Sequence, residues 1–249
     1  MSPSITRFVI VATPRTGSNY LCGGLDAHPE VVCHYELFHP DRIYATWELA
    51  AELGDLAARN ADPAAFLARV WSLHRGAKAV GFKIFLDHDR TGLKLVLDDP
   101  GVRKIVLKRR NRIKAFVSEG IATRTGVYQR LEGEPAPPAP VPPIHVDPAA
   151  LLRDVERRRR FYRTVEKRLR GTDQRYLEVH YEDLIARPEV RSAILHYLGV
   201  AADPSLFRPR DRKQNPDDLR LLIANFAALD RALARRSLRA DLHDAPPAP

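Results

Sequence analysis

The sequence predicts an α/β fold: a single domain on a central, mainly parallel β-sheet of about five strands, flanked by helices. Three observations carry this. Short apolar, β-branched runs alternate along the chain with stretches of helical periodicity. The clearest run, Phe8–Ala12, passes directly through a turn into a helix start. The polar residues able to do chemistry fall just after the strands and not within them. Alternating strands and helices imply right-handed βαβ units, hence parallel strands covered on both faces. In such sheets ligands bind beyond the carboxyl ends of the strands.

The elements follow in order. A first strand ends at Ala12, and a helix spans about Ser18 to Ala27. Val31–Glu36 is a second strand, and residues 41–74 are expected to be helical with a break near Asn60–Pro63. Ala79–Phe85 and Val102–Lys108 are the third and fourth strands. The fourth runs at once into a helix, Arg112–Thr123, with Ile113, Phe116, Val117 and Ile121 on one face. Glu132–Pro148 holds seven prolines and can be neither helix nor central strand, so it reads as a surface loop or lid. A long basic helix, Ala149–Arg170, follows, with Asp147 as a candidate cap before Pro148. Tyr176–Tyr181 is the fifth strand, and Glu189–Leu198 is a helix closed by Gly199. Asn215 as N-cap and Pro216 at the first helical position predict a last helix. The domain is expected to span residues 1–240, with 132–148 as a loop inside it and 241–249 as a disordered tail.

Bulk properties narrow the function. The 249 residues are 45% apolar, enough for a full core, and no apolar run is long enough to span a membrane. The first apolar run is too short for a signal peptide. Cys22 and Cys33 cannot build a disulfide framework or a zinc site, and read as reduced thiols of a cytoplasmic protein. The net charge of +9 favours an anionic partner, either nucleic acid or a small multiply charged co-substrate. Much of that charge lies in Arg157–Arg160, which reads as a solvated helix face or a candidate dimer surface.

The turn Pro14-Arg15-Thr16-Gly17-Ser18-Asn19-Tyr20 is a candidate anion site. Backbone N–H groups at a helix start lack intrahelical partners, and the helix dipole favours negative charge there. Gly17 permits close backbone approach, and Arg15 adds a forked cation. It is not the standard nucleotide phosphate loop: Ala12 stands where a first Gly belongs, and no Lys follows Gly17. A second candidate follows the fourth strand, where Arg110, Lys114 and Ser118 recur at four-residue spacing on one helical stripe. Of these, Lys114 reads as part of a solvated face. Glu36 reads on its residues alone as a salt-bridge partner of Arg15, and Lys83 equally as a strand-end surface residue. His34, His39 and His88 read as structural or exposed, and no convincing set of metal ligands is present.

These residues resemble the sulfotransferases that use 3′-phosphoadenosine 5′-phosphosulfate (PAPS), whose sheet is P-loop-like. Thr13–Tyr20 resembles their 5′-phosphosulfate loop, with Arg after Pro. Arg110 through Ser118 resembles their 3′-phosphate element, with Arg and Ser eight positions apart. Tyr181-Glu182-Asp183-Leu184, Pro188 and Tyr197-Leu198-Gly199-Val200 match a recurrent late stretch. Arg212-Lys213-Gln214-Asn215 resembles a late basic loop that closes over the nucleotide. The resemblance covers about Arg7 to Leu229 and is nearest the bacterial carbohydrate type, the nodulation-factor and trehalose sulfotransferases. The phenol and steroid enzymes carry a His two residues after the third-strand Lys; here that position is Phe85. The trehalose type uses a Glu at the end of the second strand, and Glu36 stands there.

The resemblance implies a mechanism. PAPS would rest on Pro14–Tyr20, on Arg110 and Ser118, and on Arg212, Lys213 and Gln214. Glu36 would be the general base, raised toward the useful range by burial. Arg15 and Lys83 would stabilise charge on the leaving oxygen. The acceptor would be a small-molecule or glycan hydroxyl, with no metal and no nucleic-acid partner. Rival readings are a kinase-like phosphotransferase, which lacks its phosphate-loop Lys, and a basic nucleic-acid binder, for which no recognition module is visible.

Overall fold

The computed structural model describes residues 5–46, 49–135 and 141–243. Within them, Thr6–Ala12 (β1), Val31–His34 (β2), Ala79–Phe85 (β3), Val102–Lys108 (β4) and Tyr176–His180 (β5) form one sheet in the order β2-β3-β1-β4-β5. All four pairings are parallel, and Ile10 of β1 lies between Lys83 and Ile105. β1 is therefore central. The chain leaves it toward β2 on one side and leaves β4 toward β5 on the other, so a crevice opens beyond the carboxyl ends.

The period-two pattern of β1 feeds two cores. Phe8, Ile10 and Ala12 pack with Leu21 and Leu25 of Ser18–Asp26 (α1) and with Ile194, Leu195 and Leu198. Val9 and Val11 face the opposite layer, which holds Phe66 and Val70, Val96 and Leu97, and Phe161, Val165 and Leu169. Three helices supply that layer: Pro63–Ser72, Arg90–Asp98 and Pro148–Gly171. A third cluster joins Ile113, Val117 and Ile121 to Ile144, Val146, Leu151 and residues from 219 to 242.

In chain order the remaining helices are Ala50–Leu53 (α2), Leu56–Ala61 (α3), Pro63–Ser72 (α4), Arg90–Asp98 (α5), Arg112–Thr125 (α6), Pro148–Gly171 (α7), Tyr181–Ala186 (α8), Pro188–Leu198 (α9) and Phe226–Ala232 (α10). Several differ from the sequence reading. Among the described residues of 41–74 there are three short α-helices, because Asp55 and Asp62 each cap a new start by accepting from Ala58 N and Ala65 N. α5 is an element the sequence reading missed; Asp89 caps it through Gly92 N. β2 stops at His34, since the Tyr35 amide turns away to the Tyr44 carbonyl. Asn215 caps no helix: Asp218 caps a short 3-10 turn at Leu219–Leu221 instead.

The Pro-rich stretch is not wholly a surface loop. Residues 136–140 lie outside the described residues, but Ile144 bridges to Ile223 and Val146 is fully buried. Asp147 caps α7 as expected, accepting from Ala149 N and Ala150 N. At the other end, residues 241–243, expected to belong to a disordered tail, are packed on the domain. Leu242 is buried, and Asp241 accepts from Arg112 N and Nε at 2.8 and 2.9 Å. Residues 244–249, where fraying was expected, lie outside the described residues.

Candidate active site

The β1–α1 turn owes its shape to backbone conformation. Arg15 and Gly17 both have positive φ, 63° and 82°. The Thr16 hydroxyl donates to the Thr13 carbonyl at 2.8 Å, so Thr16 ties the turn from within and its side chain is buried. A Cβ at residue 17 would run into the Tyr181 ring, so Gly is required twice over. Gly17 is the N-cap of α1 and supplies no side-chain cap, which leaves the first N–H groups facing a cavity of about 950 Å³. Pro14, Arg15, Gly17, Ser18, Asn19 and Tyr20 all line it.

Helix α7 holds this turn from below. Arg158, read from sequence as part of a solvated face, is buried. Its Nη1 donates to Pro14 O at 2.6 Å and to Thr13 Oγ1 at 3.1 Å, and its Nε pairs with Asp154. The Tyr162 hydroxyl receives the Thr13 amide at 3.1 Å and donates to Leu107 O at 2.7 Å. The pattern that could have found Arg158 is the buried stripe Leu151, Phe161, Val165, Leu169, in which position 158 falls in register.

Arg15 spans the cavity. Its guanidinium donates to Ser118 Oγ at 2.9 Å, Tyr128 O at 2.6 Å and Gln214 Oε1 at 2.8 Å. Desolvation lowers its pKa, with Glu119 partly offsetting that. It does not pair with Glu36. Gln214 sits beyond a short ribbon in which Leu131 bridges Asp211, Glu132 N donates to Arg210 O and Arg212 N to Arg130 O. Arg212, Lys213 and Gln214 all border the cavity, where Arg212 reaches Glu132 and Lys213 pairs with Asp217.

The second anion site differs from the sequence reading. Arg110 precedes the Asn111 N-cap of α6 and so is off the helical stripe. It makes a two-pronged pair with Asp183, is half exposed and does not line the cavity. The start of α6 is already occupied: Glu182 accepts from the Arg110 and Asn111 amides, and Asp241 from Arg112. Lys114, read as solvated, instead lies against the cavity, largely buried and 3.9 Å from Asp217. Arg109 is there too, over the Tyr181 ring at 4.8 Å, with Nη1 on Arg15 O at 3.0 Å. Among the described residues, Arg109 Nε and Arg158 Nη2 are buried without an acceptor. The orphaned donor of Arg109, which lines the cavity beside an uncapped helix start, fits an incoming anion, whereas Arg158 lies outside the lining.

Glu36 lies just past β2, in the turn where its carbonyl accepts from His39 N and Tyr44 N. Its Oε1 is 2.9 Å from Lys83 Nζ and its Oε2 is 3.4 Å from His88 Nε2. Lys83 is fully buried, not a surface residue; it also donates to Asn19 Oδ1 and sits over the Tyr35 and Phe85 rings at 5.3 and 5.0 Å. Burial opposes ionisation of Glu36, but the His88 hydrogen bond and the Lys83 charge outweigh it and lower its pKa to about 2. The expectation of a raised pKa is therefore corrected: the His88 and Lys83 neighbours together win over desolvation. His88, read as structural or exposed, is buried and borders the cavity.

The fold and the site together define an α/β protein that gathers basic side chains, an uncapped helix start and a lysine-paired carboxylate at the strand ends. No family model matches the chain. It is similar to Nodulation protein H of Rhizobium tropici, 25% identical over 244 residues that cover 93% of this chain and 91% of that protein. Among solved structures it is similar to a sulfotransferase from Alicyclobacillus acidocaldarius, at 20% identity, 96% of each chain and a TM-score of 0.47. It is also similar to mouse sulfotransferase SULT7A1 complexed with PAP, at 15% identity, 96% of this chain, 89% of that one and a TM-score of 0.48. Among the described residues, no helix is long and apolar enough to cross a membrane.

Proposed function

We propose that the chain transfers a sulfuryl group from PAPS to a hydroxyl of a carbohydrate or glycosylated acceptor. One observation carries the reading: the Arg15–Tyr20 turn and the Glu36–Lys83 pair open into the same cavity. The 5′-phosphosulfate would take the α1 amides and Arg15. The 3′-phosphate would take Lys114, Ser118 and Arg109, with Lys213 and Gln214 closing over the nucleotide.

The acceptor oxygen forms a bond to sulfur as the bond from sulfur to the bridging oxygen breaks, releasing 3′-phosphoadenosine 5′-phosphate (PAP). The acceptor proton goes to Glu36. A carboxylate with so low a pKa is a weak base, but the hydroxyl becomes strongly acidic as its bond to sulfur forms. Lys83 and Arg15 stabilise the departing oxygen. As Lys83 turns toward that oxygen, Glu36 loses a partner that depresses its pKa and becomes the better proton acceptor. Tyr35, Tyr44 and Phe85 give the cavity aromatic faces suited to a sugar ring.

The test is incubation with radiolabelled PAPS and a panel of sugar acceptors, for native protein and Glu36→Gln. Native protein should label a glycan. Glu36→Gln should lower kcat by roughly 10²–10⁴-fold while PAP binding by calorimetry stays within about twofold. Turnover near native in the variant would remove Glu36 as the base. Thermal stabilisation by ATP with Mg²⁺ but not by PAP would favour a phosphotransferase.

A further inference from the structure

We infer that His88 is a positioning residue for the Glu36 carboxylate; this rests on the reading of Glu36 as the base. β3 ends at Phe85, and the chain folds straight back on itself. The His88 amide donates to Phe85 O at 3.2 Å, and the Phe85 amide donates to His88 Nδ1 at 3.1 Å. An Nδ1 that accepts carries no proton, so the proton of the neutral ring is on Nε2. That nitrogen faces Glu36 Oε2 at 3.4 Å.

The ring has little freedom. Its side chain is 3% exposed, it lies edge-on to His39 at 5.6 Å and it is tilted against Phe85 at 4.9 Å. Rotation would strip the Phe85 amide of its acceptor at a buried strand end. Glu36 is thus held at both oxygens by residues of one segment: Lys83 at Oε1 from within β3, and His88 at Oε2 from the turn after it. Two fixed partners on two oxygens set the plane of the carboxylate and leave each oxygen a lone pair for the acceptor. His88 is not itself a base in this arrangement, because Nδ1 is spent as an acceptor and Nε2 as a donor.

Three substitutions separate this role from a purely structural one. His88→Ala removes both functions. His88→Asn retains an oxygen near Nδ1 for the Phe85 amide but cannot reach Glu36. His88→Gln carries an amide toward the Nε2 position. In the PAPS assay, kcat should fall roughly 10–100-fold in His88→Ala and His88→Asn, with PAP affinity within about twofold of native. His88→Asn should recover the melting temperature lost in His88→Ala, and His88→Gln should recover kcat. In the Glu36→Gln background, His88→Ala should produce no further loss, since two groups that act as one unit are not additive. Recovery of kcat by His88→Asn, or kcat within twofold of native in His88→Ala, would overturn the assignment even where Glu36→Gln abolishes turnover. A Glu36→Gln variant with native turnover would instead overturn the base reading on which the assignment rests.

Discussion

Arg158 of α7 donates to the carbonyl of Pro14 at 2.6 Å, so a helix from the middle of the chain fixes the turn that follows its first strand. Thr13 Oγ1 and Asp154 complete the hold. Arg158→Met should lower unfolding free energy by about 2–4 kcal/mol, because it leaves Pro14 O and Asp154 Oδ2 without their donor in a buried site, while Asp154 keeps Arg157 at Oδ1. PAP affinity should fall with it, since Arg15 sits on that turn. Chemical denaturation and calorimetry check both; an unchanged affinity would make Arg158 a support of the core alone.

Gly17→Ala should be harsher on binding than its size implies. Its φ of 82° disfavours any side chain, and the new Cβ meets the Tyr181 ring. The backbone strain is worth about 1–3 kcal/mol. A folded variant, verified by circular dichroism, should bind PAP at least tenfold more weakly.

Lys114 and Arg110 give opposite expectations from structure and from sequence spacing. Lys114 borders the cavity, whereas Arg110 is engaged with Asp183 outside it. Lys114→Ala should weaken PAP binding about tenfold, a charge-assisted contact of roughly 1.5 kcal/mol, and Arg110→Ala should weaken it less. Calorimetry showing the reverse order would return the 3′-phosphate to Arg110.

Acid should reveal the Glu36 cluster. Glu36 is held at about 2 in the folded chain, below its ordinary 4.5. A depressed carboxylate stabilises the fold fully above its unfolded pKa and loses that contribution as pH falls toward its folded one. The stability difference between native protein and Glu36→Gln should therefore shrink as pH drops from about 4.5 toward 2. Denaturant titrations across pH 5 to 3 measure it; a constant difference would mean that Lys83 and His88 do not hold the carboxylate.

The strands were legible because parallel, doubly covered strands read as apolar runs; β1, β3 and β4 needed nothing else. The turn at Arg15–Tyr20 was legible because Gly and a helix start carry their own signal. What was not legible depended on partners distant in sequence. Lys114 and Arg110 differ by one helical turn in spacing, but Asp183 and Glu182, some seventy residues on, decide which of them faces the cavity. His88 lies before the Asp89 cap of a helix that the sequence reading passed over, so its return to Phe85 had no local signature. The direction of the Glu36 shift turns on His88 and on Lys83, a buried ammonium that spacing alone leaves at the surface.

Arg15 touches three segments at once: Ser118 on α6, the Tyr128 carbonyl and Gln214 beyond the ribbon. These three contacts use three of the five N–H donors of the guanidinium, so two remain for an incoming anion while the tie between the first turn and the ribbon at residues 130–132 and 210–212 holds. The orientation of the cation is therefore set by three segments of the chain before any ligand arrives.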